Sequence, residues 1–249
     1  MIFNESRRYF VDRRVADRMA ATGAASFASY FARLRTDIDG EVEQFINAFT
    51  VNETYFYRED HQLQCLTSDL LAERLHHKPA GESVRIWSMP CSTGEEPYSI
   101  AMVVQETLGH LRNWSIRILA TDIDTNVLSH ARQGVYSGER LEKMSSERIL
   151  RWFERTEDKQ FVVREELKQL ITFNPLNLIG DWPLRGPFDI IFCRNVVIYF
   201  DRNTQRQIVG RMATLQNIGD HLVLGHSESL LEVSTQYRLV GNTIHRRVA

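Results

Sequence analysis

The loop at residues 88–99 combines small, polar and acidic side chains, in the order Ser-Met-Pro-Cys-Ser-Thr-Gly-Glu-Glu-Pro-Tyr-Ser. It stands between a predicted strand and a predicted helix, where doubly wound α/β proteins bind ligands at free backbone N–H groups. Glu95 and Glu96 would repel a phosphate there, but they suit a cationic ligand or one rich in hydroxyl groups. The alternative is that both glutamates only complement the helix dipole. The loop has neither a G-x-G-x-x-G pattern nor a Lys-Ser/Thr pair, which disfavours dinucleotide and P-loop sites.

A second acidic group, Asp122 and Asp124, follows the next predicted strand. An acidic side chain at this point of such a fold accepts hydrogen bonds from the hydroxyls of a ribose, and it would reject a phosphorylated ribose. The alternative role is that of a helix N-cap. We assign the ribose contact to Asp122 and the N-cap to Asp124.

Two later segments also place polar residues at the ends of predicted strands. Asn177 and Leu178 end an Asn-Pro-Leu-Asn-Leu run, whose amide and apolar side chain could read and cover an adenine, although Asn-Pro is also ordinary turn chemistry. Arg194 and Asn195 come directly after an apolar run, at the expected ligand-binding edge. Tyr199 is close enough along the chain to face the same cleft; the alternative is a core aromatic side chain with its hydroxyl at the surface.

The elements that must position these residues alternate between strands and helices after residue 82. The sequence predicts strands at 84–88, 116–121, 188–193 and 221–224, helices at 94–108, 124–133 and 203–216, and a closing strand pair at 237–239 and 243–248. This alternation is typical of a parallel, doubly wound sheet, with which an antiparallel edge is compatible. Two short strands, 161–163 and 170–173, around a charged turn predict a small β insertion at about 156–173.

The first part of the chain is predicted to be helical. It has no proline before Pro79, and its apolar residues recur at helical spacing. We therefore divide the chain into a helical N-terminal domain at 1–65, a connecting helix and linker at 66–82, and an α/β domain at 83–249 that carries the β insertion.

Composition excludes several function classes. The 249 residues are 43% hydrophobic and 25% charged with a net charge of −2, which is typical of a globular protein and gives no sign of nucleic-acid binding. No stretch is apolar enough to span or insert into a membrane, and the N-terminus lacks a signal sequence. The three cysteines are far apart and have no metal-ligand spacing, so we expect no metal site. These features predict a reduced, cytoplasmic protein.

Taken together and in this order, the motifs resemble those of the chemotaxis receptor methyltransferases, the CheR family. The resemblance extends over nearly the whole chain and is most specific in the Cys-Ser-Thr-Gly-Glu-Glu-Pro-Tyr-Ser run from Cys91 and the Phe-Cys-Arg-Asn-Val run from Phe192. An Asn-Glu-Thr run from Asn52 with Arg58, and a Gly-His-Ser-Glu run from Gly225, also match.

The resemblance implies a Rossmann-like methyltransferase domain with a small antiparallel β subdomain, preceded by a small all-α domain. It implies S-adenosylmethionine as the methyl donor, S-adenosylhomocysteine as the product, and receptor glutamates as acceptors. Arg58 and Tyr199 resemble residues beside the path of methyl transfer. The residues that it implies for cofactor binding are Asn52, Thr54, Arg58, Glu96, Asp122, Asn177, Leu178, Arg194 and Asn195.

The chemistry of these residues agrees with the resemblance. Acidic side chains suit a sulfonium cation, and Arg58 can pair with the carboxylate of the donor's amino-acid tail. A glutamate acceptor is already ionised at neutral pH, so no general base is needed. A methyltransferase with another acceptor, and a regulatory module that only senses S-adenosylmethionine, remain alternatives. Met89 and Pro90 stand where relatives usually have small residues or glycine. Pro90 removes an N–H and fixes φ, so the loop could hold the cofactor differently.

The expected partner is the cytoplasmic helical bundle of a chemoreceptor. Arg7, Arg14 and Arg18 fall within roughly 40° on a helical wheel and border an apolar stripe, so they could dock on an acidic receptor helix. The alternative is a solvated basic face. The turns of the predicted β insertion contain no glycine, unlike the loop of relatives that bind a receptor's C-terminal tether peptide, so we expect recognition without a tether.

Overall fold

The computed structural model of the chain describes residues 8–73, 82–109 and 115–249. A seven-stranded sheet in the order β6-β2-β1-β7-β8-β10-β9 forms its centre. The strands are β1 (Ser83–Met89), β2 (Ser115–Asp122), β6 (Ile171–Pro175), β7 (Ile190–Cys193), β8 (His221–Leu224), β9 (Tyr237–Gly241) and β10 (Ile244–Arg247). The first five in spatial order are parallel, and β10 pairs antiparallel with both β8 and β9. The predicted doubly wound sheet with an antiparallel edge is confirmed.

The sheet is buried on both faces, which explains the continuous apolar sequence of its central strands. All four residues of β7 and of β8 are buried. Successive side chains enter different cores: Ile86 packs in one hydrophobic cluster and Trp87 in the other. The covering helices are α5 (Glu95–Leu108), α6 (Thr125–Gln133) and α10 (Arg202–Thr214). They match the predicted helices to within two residues at every end.

The small antiparallel sheet differs from the prediction. It consists of β3 (Val135–Tyr136), β5 (Phe161–Val163) and β4 (Phe153–Arg155), in that order, and the short helices α7 (Gly138–Leu141) and α8 (Ser146–Trp152) lie between β3 and β4. The prediction that residues 161–163 and 170–173 form one insertion was wrong. Ile171–Pro175 instead pairs parallel with β2, because a helical turn, α9 (Glu165–Lys168), carries the chain from the small sheet to the edge of the central one.

The N-terminal region is helical, as the apolar spacing predicts. It contains α1 (Arg8–Thr22), α2 (Phe27–Thr36), α3 (Glu41–Phe49) and α4 (Asp60–Cys65), and α4 continues into a π-helical turn at Leu66–Leu70. The first three helices share a small core around Val15, Tyr30 and Phe49. The predicted linker at residues 78–82 lies almost wholly outside the described residues.

Polar contacts join α3 to the start of α6. The Asn47 side chain donates to the Thr125 hydroxyl over 3.0 Å, and the Thr50 hydroxyl donates to the Asp124 carboxylate over 2.6 Å. The helical region is therefore fixed beside the carboxyl end of β2. This contact places the residues that follow α3 over the edge of the sheet where the sequence motifs end.

Candidate active site

A cleft opens at the carboxyl ends of the parallel strands, where polar motifs follow five neighbouring strands. It has two adjoining compartments, which share Pro90, Asp122, Ile123, Val196 and Tyr199. We call the larger, with a volume of about 490 Å³, the apolar compartment, and the smaller, with about 100 Å³, the polar compartment. The rest of the apolar compartment is formed by Val11, Phe45, Ile46, Phe49, Met89, Thr121, Leu176, Asn177, Leu178, Ile179 and Phe200. The rest of the polar compartment is formed by Thr50, Val51, Asn52, Glu53, Thr54, Arg58, Ser92, Glu96, Arg194 and Asn195.

The loop after β1 gives Glu95 and Glu96 different environments, and it places Glu96, the one implied for cofactor binding, in the cleft. Gly94 has φ +98°, and a Cβ there would lie 2.8 Å from the Tyr136 hydroxyl, so the tight turn into α5 requires glycine. Glu95 is fully buried and accepts a hydrogen bond from the Thr93 hydroxyl over 2.6 Å. Glu96, one residue on, lines the polar compartment. Glu95 therefore has a structural position, whereas Glu96 belongs to the cleft.

Glu96 is one end of a buried charge network. Its carboxylate accepts from the Ser88 hydroxyl over 2.7 Å and from Arg194 Nη1 over 2.8 Å. Arg194 Nη2 donates to the Arg58 carbonyl over 2.6 Å and lies 3.5 Å from Glu59 Oε2. The side chain of Arg194 is only 3% exposed. Burial opposes ionisation of Glu59, but a contact with His226 and the charge of Arg194 together lower its pKa.

Asp122 holds two segments of backbone together at the floor of the cleft. Its Oδ2 accepts from the Ser92 N–H over 2.8 Å and its Oδ1 from the Asp124 N–H over 3.0 Å. Burial raises the pKa of Asp122, and these two N–H groups counteract that shift. Asp124 caps α6 by accepting from Asn126 N–H over 2.9 Å, so the predicted N-cap is confirmed.

Three of the residues implied for cofactor binding lie in the segment at residues 50–59, between α3 and α4, which we call the lid. Asn52, Thr54 and Arg58 all line the polar compartment. The Asn52 amide donates to Asp124 Oδ2 over 2.8 Å, which ties the lid to the cap of α6. Arg58 donates to the Glu53 carbonyl over 2.9 Å, and its guanidinium lies 5.9 Å from the centre of the Tyr55 ring.

Asn177, Leu178 and Tyr199 occupy the walls of the apolar compartment. The Asn177 side chain accepts from the Ile179 N–H over 3.0 Å, so its carbonyl oxygen also shapes the turn after β6. Tyr199 ends a 3-10 turn, Val197–Tyr199, and borders both compartments. The Tyr199 hydroxyl makes no hydrogen bond with any of the described residues. The structure thus brings all nine implied cofactor residues, and Tyr199, to one cleft.

Sequence reasoning assigned no role in the site to three residues that shape it. Phe45 and Phe49 of α3 form part of the wall of the apolar compartment. No local sequence pattern indicates this role, because both residues have the spacing of ordinary core positions. Glu228 accepts hydrogen bonds from the backbone of Asn195, Val196 and Val197. It ends the Gly-His-Ser-Glu run after β8, and the match of that run to the family, together with its position after a parallel strand, could have indicated it.

The fold and the cleft define a class of protein. A parallel sheet with a tight loop after β1 and a buried acid at the end of β2, both open to one elongated cleft, is the architecture of nucleoside-binding α/β proteins.

The described residues contain no group of His, Cys, Asp and Glu that could hold a metal ion. No described helix is long and apolar enough to cross a membrane.

Comparison with known families narrows this class. Residues 52–246 match the family described as "CheR methyltransferase, SAM binding domain", and residues 1–50 match "CheR methyltransferase, all-alpha domain". The chain belongs to the CheR methyltransferase family and is an S-adenosylmethionine-binding methyltransferase. The family expected from the sequence motifs is therefore confirmed, as is the combination of an all-α domain with a methyltransferase domain.

Individual relatives match over almost the whole of this chain and over about 85% of their own length. The chain is 40% identical over 242 residues to "Chemotaxis protein methyltransferase 2" of Vibrio cholerae, covering 96% of this chain and 84% of the relative. It is 43% identical over 247 residues to a protein of the same name from Pseudomonas aeruginosa, covering 97% and 85%. "Chemotaxis protein methyltransferase" of Escherichia coli is 38% identical over 251 residues, covering 98% and 85%.

Proposed function

We propose that the chain transfers the methyl group of S-adenosylmethionine to glutamate side chains in the cytoplasmic helical bundle of a chemoreceptor, and so adjusts chemotactic adaptation. The observation that carries the proposal is the junction of the two compartments, where Tyr199 borders both. The names of the relatives support a place in chemotaxis. S-adenosylhomocysteine would be the released product.

The cleft fits S-adenosylmethionine in size and in charge. A volume of about 490 Å³ for the apolar compartment lies within the range of about 300–1,000 Å³ that is usual for cofactor sites. Glu96 and Asp122 provide negative charge in the neighbouring polar compartment, and Arg58 provides a guanidinium group for a carboxylate. We assign adenine contacts to Asn177 and Leu178, the ribose contact to Asp122, and further cofactor contacts to Asn52, Thr54, Glu96, Arg194 and Asn195.

The protein's own part in the reaction is mostly to position groups and exclude water. When bound, S-adenosylmethionine supplies an electrophilic methyl group. The side chain of a glutamate in water has a pKa of about 4.3, so it is an ionised nucleophile at neutral pH and needs no residue to remove a proton. The Tyr199 hydroxyl is available to orient the acceptor carboxylate, and Arg58 stands in the same compartment. We assign catalytic roles to these two side chains.

A labelled-methyl assay tests the proposal. The enzyme is incubated with S-adenosylmethionine carrying a labelled methyl group and with a receptor cytoplasmic fragment. Label that appears on the fragment and is released by mild base identifies a methyl ester of a carboxylate; a second fragment with its candidate glutamates changed to alanine should stay unlabelled. Tight cofactor binding without transfer would instead favour a sensing module, and base-stable label would favour a different acceptor chemistry.

The role of Tyr199 predicts a specific kinetic signature. Tyr199→Phe keeps the ring that lines both compartments but removes the hydroxyl, so we expect kcat to fall about tenfold or more while the dissociation constant of S-adenosylhomocysteine changes little. Steady-state kinetics and calorimetry measure the two quantities. A large loss of binding with normal turnover would contradict this role.

Docking on the receptor is proposed to involve the basic side of α1. Arg7 lies outside the described residues, and Arg18 donates to Glu41 over 2.9 Å and 2.6 Å, which limits its availability. Arg14 is exposed, with its guanidinium over the Phe10 ring at 5.1 Å. Of the three arginines proposed to dock on the receptor, Arg14 is therefore the one that is both described and exposed.

Charge reversal tests this surface. Arg14→Glu should raise the Michaelis constant for the receptor fragment a few-fold at low salt and less at high salt, because exposed charges are screened. Arg117→Glu, which reverses an exposed charge on β2, is the matched control and should leave that constant unchanged. Equal constants for the Arg14 variant and the wild type would remove α1 from the interface.

We also propose that recognition needs no tether peptide. The turn between β4 and β5 contains no glycine, and Lys159 occupies a left-handed conformation there, with φ +59°. Calorimetric titration with a receptor C-terminal peptide should give no heat of binding. Saturable binding would show that the small sheet captures such a tether despite its short turn.

A further inference from the structure

Glu228 is a buried carboxylate that the proposed mechanism does not use. It is 6% exposed, and it accepts four backbone hydrogen bonds of 2.7–2.8 Å. Oε1 accepts from Val196 and Val197, and Oε2 accepts from Asn195 and Gly225. Burial raises the pKa of this carboxyl group, and the N–H donors counteract that shift.

Three of the four donors are consecutive residues of one turn. Residues 195–197 leave the end of β7 and lead directly into the 3-10 turn that ends at Tyr199. Consecutive N–H groups that point at one site form a concave anion-binding arrangement. Here the anion is a side chain of the same protein, so the turn is closed by an internal carboxylate.

The fourth donor links this turn to the neighbouring strand. Gly225 follows β8, and a Cβ on it would lie 2.6 Å from the Asn195 side-chain nitrogen and 2.9 Å from its backbone nitrogen. Asn195 itself has φ +58°, a left-handed conformation that a non-glycine residue adopts at some cost. The turn is therefore held in an unfavourable conformation by contacts with Gly225 and Glu228.

We propose that Glu228 is a positioning residue for methyl transfer, whose carboxylate fixes the turn at residues 195–199 and thereby the Tyr199 hydroxyl in the cleft. The inference rests on the proposed function for the role of Tyr199. Because the Tyr199 hydroxyl has no hydrogen bond to any described residue, the backbone turn is what places it.

The alternative is that Glu228 only stabilises the fold, and Asp189 provides the matched comparison. Asp189 is 1% exposed, stands immediately before β7, and accepts a hydrogen bond from the Arg85 N–H over 2.8 Å. It is therefore a buried carboxylate with a backbone partner, but at the opposite end of the same strand. Glu228→Gln and Asp189→Asn both replace one acceptor oxygen by a donor amide.

Hydrogen exchange tests the structural half of the proposal without any activity. In Glu228→Gln we expect the amides of residues 195–197 to exchange at least about tenfold faster than in the wild type, and in Asp189→Asn we expect no change there. Unchanged exchange in Glu228→Gln would overturn the proposal. This measurement stands even if the wild type transfers no methyl group to a receptor, a result that would refute only the proposed function.

Kinetic measurements test the catalytic half of the proposal, that the turn positions Tyr199 for methyl transfer. Glu228→Gln should lower kcat at least about tenfold while the dissociation constant of S-adenosylhomocysteine rises less than about threefold, and Asp189→Asn should change neither. In a Tyr199→Phe background, adding Glu228→Gln should lower kcat by no more than about a further factor of two. The reason is that both changes act through the Tyr199 hydroxyl. Fully multiplicative effects, or equal losses of kcat and affinity, would overturn the proposal.

A second variant covers the case in which Glu228→Gln fails to fold. Gly225→Ala adds a Cβ that would clash with Asn195 and leaves the Glu228 carboxylate in place. It should reproduce the faster exchange at residues 195–197 and the loss of kcat. Wild-type exchange and wild-type kcat in this variant would count against the proposal.

Discussion

The two compartments of the cleft are built on different principles. In the polar compartment most charged side chains are already bound to another part of the protein: Glu96 to Ser88 and Arg194, Asp122 to backbone N–H groups, and Arg58 to the Glu53 carbonyl. The apolar compartment is several times larger and has few directional contacts. One of its walls comes from α1 and α3 of the helical region rather than from the sheet.

This difference follows from the cost of burying each kind of group. A buried charge or amide without partners is strongly unfavourable, so polar groups near a ligand must be held before the ligand arrives. Apolar contacts are non-directional and scale with area, so their wall can be contributed by distant segments. We therefore expect substitutions in the polar compartment to be severe and specific, and those in the apolar compartment to be mild and graded.

The largest expected effect is at Arg194. Arg194→Met leaves Glu96 and Glu59, whose side chains are each 11% exposed, without the cation that they share. We expect the free energy of unfolding to fall by about 3–5 kcal/mol. Urea denaturation measures it. The control is Arg164→Ala, which breaks the exposed pair with Glu154 and should cost no more than about 1 kcal/mol. Equal losses would show that the polar compartment is not specially organised.

A smaller but still large effect is expected at Asp122. Asp122→Asn puts a donor amide against one of two backbone N–H groups, which costs about 1–3 kcal/mol for an unsatisfied buried group. Calorimetry should show S-adenosylhomocysteine binding weakened about tenfold or more. The control Asp189→Asn removes a comparable buried carboxylate far from the cleft, and binding there should equal that of the wild type. Normal affinity in Asp122→Asn would argue against the ribose assignment.

The smallest effect should be in the apolar compartment. Leu178 is half-buried, so Leu178→Ala removes at most about 1.5 kcal/mol of apolar contact with a bound adenine, and binding of S-adenosylhomocysteine should weaken about three- to tenfold. Leu150→Ala, at a 76% exposed position on α8, should change nothing. If Leu178→Ala were as damaging as Asp122→Asn, the contrast between the compartments would fail.

Much of the sheet could be predicted from the sequence because its signals are local. Apolar runs bounded by turns indicated β1, β2, β7 and β8, and Asp124 before a helical pattern indicated the N-cap of α6. The motifs that follow those strands supplied the candidate residues, since parallel strands end at one edge. The pairing of residues 171–175 could not be predicted, because an apolar run does not specify which sheet it joins.

The sequence by itself determined the strand ends, their polar residues and, through the motifs, the family. Only the tertiary structure decided that Glu95 is fully buried outside the cleft, which cation Glu96 shares with Glu59, and that α3 supplies an apolar wall. It also revealed Glu228 behind the turn that carries Tyr199. The reason is physical: propensity and periodicity act between neighbours along the chain, whereas partners for buried charges are chosen among groups that only folding brings together.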